Sequence, residues 1–525
     1  MLKQIAICTI IIGLLTSVSV AGTSHWQSLA LPQQIEAATI APVYYVASGG
    51  NDEANGTLTA PWQTLQHAAD QAQPGSTIYV RGGVYRQKLH LTRSGNAQAG
   101  MITFARYKQE TPILDGTGLT VDGLEGMVSI DQASYITIDG LDIRNYGTDQ
   151  SGHVPAGISV IGAGGYIRLL NNHIHHIANT AAPQGNELGG RDAHGIAIYG
   201  TKAPSALHHL TIRGNELDHL VLGSSESMAL NGNVTDFEIA GNRIHDNDNI
   251  GIDTIGFEHT APDPAYDQVR NGRIYGNIVY NITSNRNPSY GRKLPNQSNG
   301  AAGMYVDGGR NIVIERNRSY NNDIGLEIAS EHKGKATSGI TARSNVIYSN
   351  RYTGIGIGGY DDQRGLAIDC AIINNTLHGN DTLSDEPGNG AGQLLIQYGT
   401  SRNVIENNIV SASATGVLIY NEYASSGNRL QSNLYYTPGG AAQAWWIWNG
   451  KVYESLAAFQ AASKQEQHGM LANPLFVNVG AADYRVRAHS PALDSGFNDT
   501  KRIGALDMAG QRRLSGKAVN RGAYE

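Results

Sequence analysis

The chain has 525 residues, a formal net charge of −7 and a charged fraction of only 16%. This weakly acidic composition has no basic stripe, which argues against nucleic acid as a partner. The length exceeds what one compact core usually holds, so it indicates several domains or one elongated repeat array.

The first 21 residues have the pattern of a secretion signal. Residues 5–15 form a short apolar run, and the small residues 19–21 offer a cleavage site before the predicted linker, residues 22–41. The run is too short to span a bilayer, although an uncleaved anchor is the alternative, and we expect no membrane span elsewhere. After cleavage Cys370 would be the only cysteine, so the secreted protein would have no intramolecular disulfide.

Residues 42–110 are predicted to form an N-terminal cap and the first coils. A strand is expected at 44–46, and a helix is expected from Pro61 to about Gln73, where Pro74-Gly75 ends it. A helix that leads into short strands is typical of the cap that covers the open end of a repeat array.

The next segment, residues 111–440, contains two alternating repeats. One is an apolar-x-x-Asn-x-apolar motif that recurs every 25 to 43 residues, a spacing of about one coil with occasional inserted loops. Asn suits turns with unusual backbone angles, and stacked amides can bond one another as a ladder, so we expect a structural role. The asparagines are Asn172, Asn215, Asn242, Asn277, Asn317, Asn345, Asn375, Asn408 and Asn433.

The other repeat is Gly-apolar-x-apolar, as in Gly251-Ile252-Asp253-Thr254 and Gly325-Leu326-Glu327-Ile328. Its period of two predicts short strands with one buried face. The alternation of the two motifs predicts an all-β fold, a single-stranded parallel β-helix with an N-terminal helical cap. Residues 441–525 are predicted to supply the last coils and a capping segment.

The chain resembles the right-handed β-helix proteins of the pectin lyase-like superfamily. The resemblance lies in the repeats, in the opening Tyr45-Val46-Ala47-Ser48-Gly49-Gly50-Asn51-Asp52, and in the closing Asn473-Pro474-Leu475-Phe476 and Arg521-Gly522-Ala523-Tyr524-Glu525. It implies a right-handed solenoid and a secreted carbohydrate-active protein, but the superfamily includes hydrolases, lyases, epimerases and adhesins.

Stacking the Gly-apolar-x-apolar strands places acidic residues in outward-facing columns. Carboxylates that share a sheet face repel one another, which pushes one pKa upward, and paired carboxyls of this kind perform glycoside hydrolysis. The third-position column contains Ala197, Ala229, Asp253, Tyr305 and Glu327, and the fifth-position column contains Tyr199, Asn231, Ile255, Asp307 and Ala329.

The segment from Gly303 to Gly309, followed by Gly325-Leu326-Glu327-Ile328, resembles the catalytic region of β-helix glycosidases of the xylosidase and fucosidase type. The resemblance implies that Asp307 is the nucleophile or base and Glu327 the general acid. Asp253 is then expected to be a third carboxylate that tunes this pair.

Further substrate-binding residues are expected around these columns, where a sugar needs hydroxyl-binding groups and aromatic rings. No metal or other cofactor is expected, and the chain is expected to act as a monomer on a poly- or oligosaccharide. Insertions at 257–271 and 283–301 are expected to form walls of the groove. The predicted binding residues are His194, Tyr199, Asn231, Glu258, His259, Tyr305, Glu331, His332, Lys333 and Asp361.

Two other functions remain open at this point. A polysaccharide lyase would use Lys333 as base and hold Ca²⁺ through acids such as Asp253. The sequence lacks the Asp-Gly-Trp-Asp and Asp-Gly-Phe-x-x-Lys segments of the calcium-dependent β-helix pectate lyases. A non-catalytic glycan-binding adhesin would bind sugars without producing new reducing ends.

Overall fold

The computed structural model describes residues 41–183, 189–383, 391–421 and 423–525. The predicted signal peptide and nearly all of the predicted linker therefore lie outside the described residues. Within the described ranges, no helix combines the length and apolarity needed to cross a membrane.

The described chain winds as a right-handed parallel β-helix, as predicted, and each coil contributes strands to three long sheets in turn. We name them sheets A, B and C in the order in which the chain enters them. Sheet A contains Val43–Val46, Thr77–Val80, Ile102–Arg106, Ile136–Asp139, Gly164–Leu170, Leu207–Arg213, Val234–Ala240, Arg270–Tyr275, Arg310–Glu315, Ala336–Ser338, Thr341–Arg343, Leu366–Ile368, Ala371–Ile373, Thr400–Ser401, Val404–Glu406 and Arg429–Gln431.

Sheets B and C complete the three sides around one continuous apolar core of stacked Ile, Leu and Val side chains. Sheet B contains Gly83–Tyr85, Pro112–Asp115, Asp142–Arg144, His173–His175, Glu216–Asp218, Arg243–His245, Ile278–Tyr280, Arg318–Tyr320, Val346–Tyr348, Thr376–His378, Ile409–Ser411, Leu434–Tyr436 and Met470–Leu471. Sheet C contains Leu89–Leu91, Leu124–Asp131, Val154–Ile161, His194–Gly200, Met228–Gly232, Ile252–Ile255, Ala302–Asp307, Ile324–Ala329, Thr353–Ile357, Leu394–Ile396, Val417–Asn421, Trp445–Trp448 and Lys451–Tyr453.

The N-terminal helix spans Leu65–Gln71 and begins later than the predicted start at Pro61. The reason is that Asp52 accepts the backbone N–H groups of Gln63 and Thr64, at 2.8 and 2.9 Å, and so holds this segment outside the helix. Thr64 then caps the helix by accepting the N–H of His67. The buried face of the helix packs against the first strand of sheet C and covers the open end of the core.

The repeated asparagines form a continuous buried ladder between sheets A and B. In each coil the side-chain amide donates to the side-chain oxygen of the next asparagine, as from Asn242 to Asn277 and from Asn277 to Asn317, both at 3.0 Å. The left-handed backbone angle was predicted at the asparagine but belongs to the residue before it, such as Gly276 or Arg316. This leaves the asparagine side chain free to point inward and bond the next coil.

Replacement of Asn277 by Ala is expected to lower the free energy of unfolding by about 3–5 kcal/mol. It removes the partner of the Asn242 backbone N–H, of one of the two N–H groups of the Asn242 side chain and of the Ile239 carbonyl in the buried ladder, and each such group costs about 1–3 kcal/mol. Urea denaturation followed by circular dichroism measures the change. Asn51→Ala, in an exposed turn, is the matched control, and an equal effect of the two substitutions would contradict the ladder's role.

The C-terminal part closes the other end of the core. A second helix, Leu456–Ser463, places the buried Phe459 against Trp446, with ring centroids 6.1 Å apart. Beyond a two-stranded hairpin of Phe476–Asn478 and Asp483–Val486, the chain returns along the outside of sheet B, where Tyr524 is buried and faces Arg318. Another two-stranded sheet joins Gly147–Thr148 to Ala178–Asn179.

Candidate active site on sheet C

The ladder of sheet C brings the predicted carboxylates onto one face in neighbouring coils. Asp253 pairs with Tyr305, and Tyr305 pairs with Glu327, so these three side chains share one column. Asp307 lies two residues along from Tyr305, opposite Ala329 of the next strand. The α-carbons of Asp307 and Glu327 are therefore diagonal neighbours about 8 Å apart.

These side chains point away from the core but are covered, and they are not surface acids. The exposed fraction is 2% for Asp253, 5% for Asp307 and 8% for Glu327. The corner residues Glu258 and Glu331 are exposed. We call this face of sheet C, with its buried acidic floor and the exposed corner acids beside it, the groove.

Glu327 is held in its protonated form at neutral pH. Burial, followed by the negative charge of Glu331, raises the pKa of this carboxyl to about 8. A carboxylic acid that stays neutral at pH 7 is the chemical requirement for a general acid.

Asp307 differs from Glu327 because it accepts a backbone hydrogen bond. The N–H of Glu331 donates to Asp307 Oδ1 at 2.7 Å, which favours the ionised form. Burial and the charge of Glu331 nevertheless raise the pKa of Asp307 well above its usual value. This hydrogen bond works against the increase in the pKa of Asp307, whereas no hydrogen bond from the described residues lowers the pKa of Glu327.

Asp253 forms a second acidic pair with Glu226, a residue that the sequence analysis missed. Burial and the charge of Glu226 raise the pKa of Asp253, and its Oδ1 has no hydrogen-bond partner. Burial and the charge of Glu258 raise the pKa of Glu226 in turn. A protonated Asp253 is consistent with a tuning role beside Asp307.

The pairing of neighbouring strands in sheet C shows how Glu226 could have been found from the sequence. Ile196 pairs with Met228, so Glu226 lies opposite His194, at the position just before the Gly-apolar-x-apolar motif. Aligning the residues that precede the motif as a further column would have identified Glu226.

His194, Tyr199 and Asn231 form one hydrogen-bonded wall of the groove. Burial lowers the pKa of His194 to about 4, so its imidazole is neutral. Its Nδ1–H donates to the carbonyl of Glu226 at 3.0 Å, and its Nε2 accepts from the Tyr199 hydroxyl at 3.3 Å. Asn231 Nδ2 donates to Glu258 Oε2 at 2.7 Å.

Tyr305, which lies in the same column as Asp253 and Glu327, links the floor to the corner residues. The Tyr305 hydroxyl donates to Glu331 Oε1 at 3.2 Å. Glu258, Asp307 and His332 each offer one ligand atom, and these atoms lie within 4.8 Å of one another. A divalent cation that accepts imidazole fits this group better than Ca²⁺, which prefers an all-oxygen shell.

Three predicted binding residues have contacts outside the acidic floor. Lys333 is exposed and donates to Gln363 Oε1 at 2.7 Å. Asp361 accepts the backbone N–H of Gln363 and lies 4.0 Å from Arg364. His259 is exposed, with its backbone N–H donated to Asp267.

The insertion that follows sheet B at residues 283–301 contributes a further contact. It forms two short 3-10 turns, Ser284–Arg286 and Pro288–Tyr290. Asn287 Nδ2 donates to the carbonyl of Gly223 at 2.6 Å, and the Tyr290 hydroxyl donates to Asn249 Oδ1 at 3.3 Å. These bonds hold the insertion beside the coil that carries Glu226.

Comparison with known proteins places the chain in a family. The uncharacterized protein YwoF of Bacillus subtilis (strain 168) is 38% identical over 450 residues, which cover 85% of this chain and 91% of that protein. The chain belongs to the family of YwoF. It is a right-handed β-helix protein of the pectin lyase-like superfamily, as the repeats predicted.

Two family models match separate parts of the chain. The model for the Pel9A-like right-handed β-helix region matches residues 44–203, and the model for the right-handed β-helix region matches residues 297–451. Pectate lyase PEL9 of Emericella nidulans is 33% identical over 192 residues, 34% of this chain and 42% of that protein. The chain thus matches less than half the length of PEL9.

Solved structures with a similar course of the chain include a pectate lyase and a protein bound to xylose. Pectate lyase Pel9A is 15% identical, with coverage of 92% of this chain and 96% of that chain and a TM-score of 0.48. XylC in complex with xylose is 13% identical, with coverage of 92% and 98% and a TM-score of 0.46.

Proposed function

We propose that this protein is a glycoside hydrolase that cleaves a poly- or oligosaccharide in the groove of sheet C. The observation that carries the proposal is the difference between its two central carboxyls. Burial raises the pKa of both carboxyls, to about 8 for Glu327, but within the described chain only Asp307 of the two accepts a backbone N–H that favours its charged form. One proton donor beside one anion is the pair that glycosidic cleavage requires.

In this mechanism Glu327 gives its proton to the glycosidic oxygen as the bond to the anomeric carbon breaks. Asp307 stabilises the positive charge that develops at that carbon, and it either attacks the carbon or activates a water molecule. Asp253 stays protonated and does not add a third charge to the floor. Asn231 and the Tyr305 hydroxyl bond Glu258 and Glu331 and so hold these two corner carboxylates beside the floor.

The relatives support a polysaccharide as substrate, since PEL9 is named a pectate lyase and the Pel9A-like model matches the N-terminal coils. The same observations favour a second candidate, a polysaccharide lyase. The residues present do not fit the Ca²⁺ of that chemistry, because burial and the charge of Glu226 raise the pKa of Asp253 well above its usual value, and the group that includes Asp307 contains His332. The exposed Lys333 is bonded to Gln363.

The test is product analysis across a panel of neutral and uronic acid-containing glycans. A hydrolase releases new reducing ends without ultraviolet absorbance and retains activity with chelator. Products that contain a new double bond absorbing in the ultraviolet, and that form only with Ca²⁺, would show that the protein is a lyase and not a hydrolase. Binding without products, unaffected by Asp307→Asn and Glu327→Gln together, would instead indicate a glycan-binding protein.

The pH dependence of kcat/KM provides a prediction from the raised pKa of Glu327. Protonated Glu327 is the active form, so activity falls as the pH rises through about 8, whereas protonation of Asp307 sets the acid limb. Glu331→Gln removes a charge that raises the pKa of Glu327, and we expect the alkaline limb to move to lower pH. An alkaline limb that stays in place in Glu331→Gln would contradict this assignment.

We also propose that the protein is secreted after removal of residues 1–21, on the basis of the sequence pattern. The buried thiol of Cys370 fits a secreted chain that needs no disulfide. Mass spectrometry of the protein from the culture medium should identify Gly22 as the first residue. Recovery of the unprocessed chain in the membrane fraction would favour the anchor instead.

A further inference from the structure

The outer face of sheet B contains a cluster of histidines and carboxylates that has no part in the proposed hydrolysis. Asp142, His173 and Glu216 stack in one column, because their strands pair in this register. His175 and Asp218 stack in the column two residues further along the strands. Alternation along each strand turns all five side chains away from the core.

Asp142, His173 and His175 have the spacing of a metal-binding triad. His173 Nδ1 lies 3.7 Å from Asp142 Oδ2, and His175 Nε2 lies 3.4 Å from Asp142 Oδ1. The two imidazole rings are stacked with centroids 4.3 Å apart. In a tetrahedral zinc site with bonds of about 2.0–2.2 Å, neighbouring ligand atoms lie about 3.3–3.6 Å apart. The two distances to Asp142 match this geometry and all three ligand atoms lie within 4.8 Å of one another, but the stacked rings must turn for both nitrogens to face one ion.

The second nitrogen of each imidazole is also held by a neighbour. His173 Nε2 lies 2.7 Å from Asp218 Oδ2, and His175 Nδ1 lies 2.7 Å from His176 Nδ1. When the other ring nitrogen binds a metal ion, such partners receive the remaining N–H and fix the orientation of the ring. The carboxylate of Asp218 behind His173 would thus hold this ring in place when its Nδ1 binds an ion.

We propose that Asp142, His173 and His175 bind one divalent transition-metal ion of the Zn²⁺ type. Two imidazoles and one carboxylate suit Zn²⁺, Co²⁺ or Ni²⁺ rather than Ca²⁺ or Mg²⁺, which prefer oxygen ligands. The His173 side chain is 40% exposed, so water can complete the coordination and the ion can enter from solvent.

The bound ion would join two coils of the solenoid. Asp142 belongs to one strand of sheet B, and His173 and His175 belong to the next. An ion that binds the folded chain and not the unfolded chain raises the melting temperature in proportion to the logarithm of its free concentration. The site is thus a metal clamp between coils, separate from the groove.

The experiment uses the full chain, treated with chelator and dialysed. Titration calorimetry with Zn²⁺ and visible absorption with Co²⁺ are expected to show one equivalent at this site. His175→Gln is expected to weaken binding at least 100-fold. Asp218→Asn is expected to weaken it by about 10–100-fold, the effect of losing the partner behind a histidine ligand.

Two histidine variants serve as matched controls. His208→Gln removes one of a pair of adjacent histidines on sheet A, and His332→Gln removes the histidine of the group in the groove. Neither is expected to change the Zn²⁺ affinity of the sheet B site.

The proposal is overturned if the full chain binds no Zn²⁺, or if His173→Gln and His175→Gln both retain wild-type affinity. Loss of binding in His332→Gln alone would also overturn it, because the ion would then lie in the groove. Circular dichroism and metal-free melting temperatures show that each variant is folded. Asp142→Asn, which keeps both imidazoles, provides a second test of the same ligand set.

Discussion

Replacement of Glu327 by Gln is expected to lower kcat/KM on natural oligosaccharides by about 10²–10⁴-fold. The amide keeps the shape of the side chain but has no proton to give to the glycosidic oxygen, and general acid catalysis contributes a factor of this size. The loss should be much smaller for aryl glycosides with a good leaving group, because such groups depart without protonation. Initial rates on the two substrate types measure the difference.

Asp369→Asn is a suitable control for the Glu327 variant. It makes the same acid-to-amide change in an exposed ion pair with Arg402, and exposed pairs of this kind contribute little to stability. Its activity should equal that of the unchanged protein. Equal losses on activated and natural substrates in Glu327→Gln would contradict the role of Glu327 as general acid.

Replacement of Asp307 by Asn is expected to lower the rate by a factor on the order of 10⁴, on activated and natural substrates alike. Asp307 is assigned to attack or to charge stabilisation at the anomeric carbon, a role that a better leaving group does not replace. The same pair of substrates measures this effect. Full activity on aryl glycosides in Asp307→Asn would assign the anionic role to another carboxyl.

A binding measurement distinguishes a loss of catalysis from a structural change in Asp307→Asn. The backbone N–H of Glu331 donates to Asp307, so the substitution also alters the corner of the groove. Binding of an uncleaved oligosaccharide, measured by calorimetry, should persist in Asp307→Asn. Loss of this binding together with activity would mean that Asp307 holds the corner in place and does not act on the substrate.

Much of the fold was predictable because a solenoid repeats its local rules. The Gly-apolar-x-apolar motif fixed the strands of sheet C, and the recurring asparagines fixed the turns between sheets A and B. Prediction was wrong where a single distant contact decided the outcome. The first helix starts at Leu65 and not at Pro61 because Asp52, earlier in the chain, binds the intervening backbone.

The candidate site was predictable to the extent that it depends on register. Counting from the repeated glycine was enough to align Asp253, Tyr305 and Glu327 in one column. Glu226 was missed because it precedes the motif, and the role of Lys333 in a lyase loses support because its side chain bonds Gln363. The positions of such corner residues depend on loops whose course no repeat dictates.

By itself the sequence determined the architecture, since the period of apolar residues and the ladder asparagines specify which side chains face the core. Tertiary structure alone decided the chemistry of the acids. Burial sets the protonation of Glu327, and one backbone N–H distinguishes Asp307 from it. Both depend on how the corner segments cover the groove. Desolvation and a hydrogen bond of 2.7 Å act only after distant residues have come together.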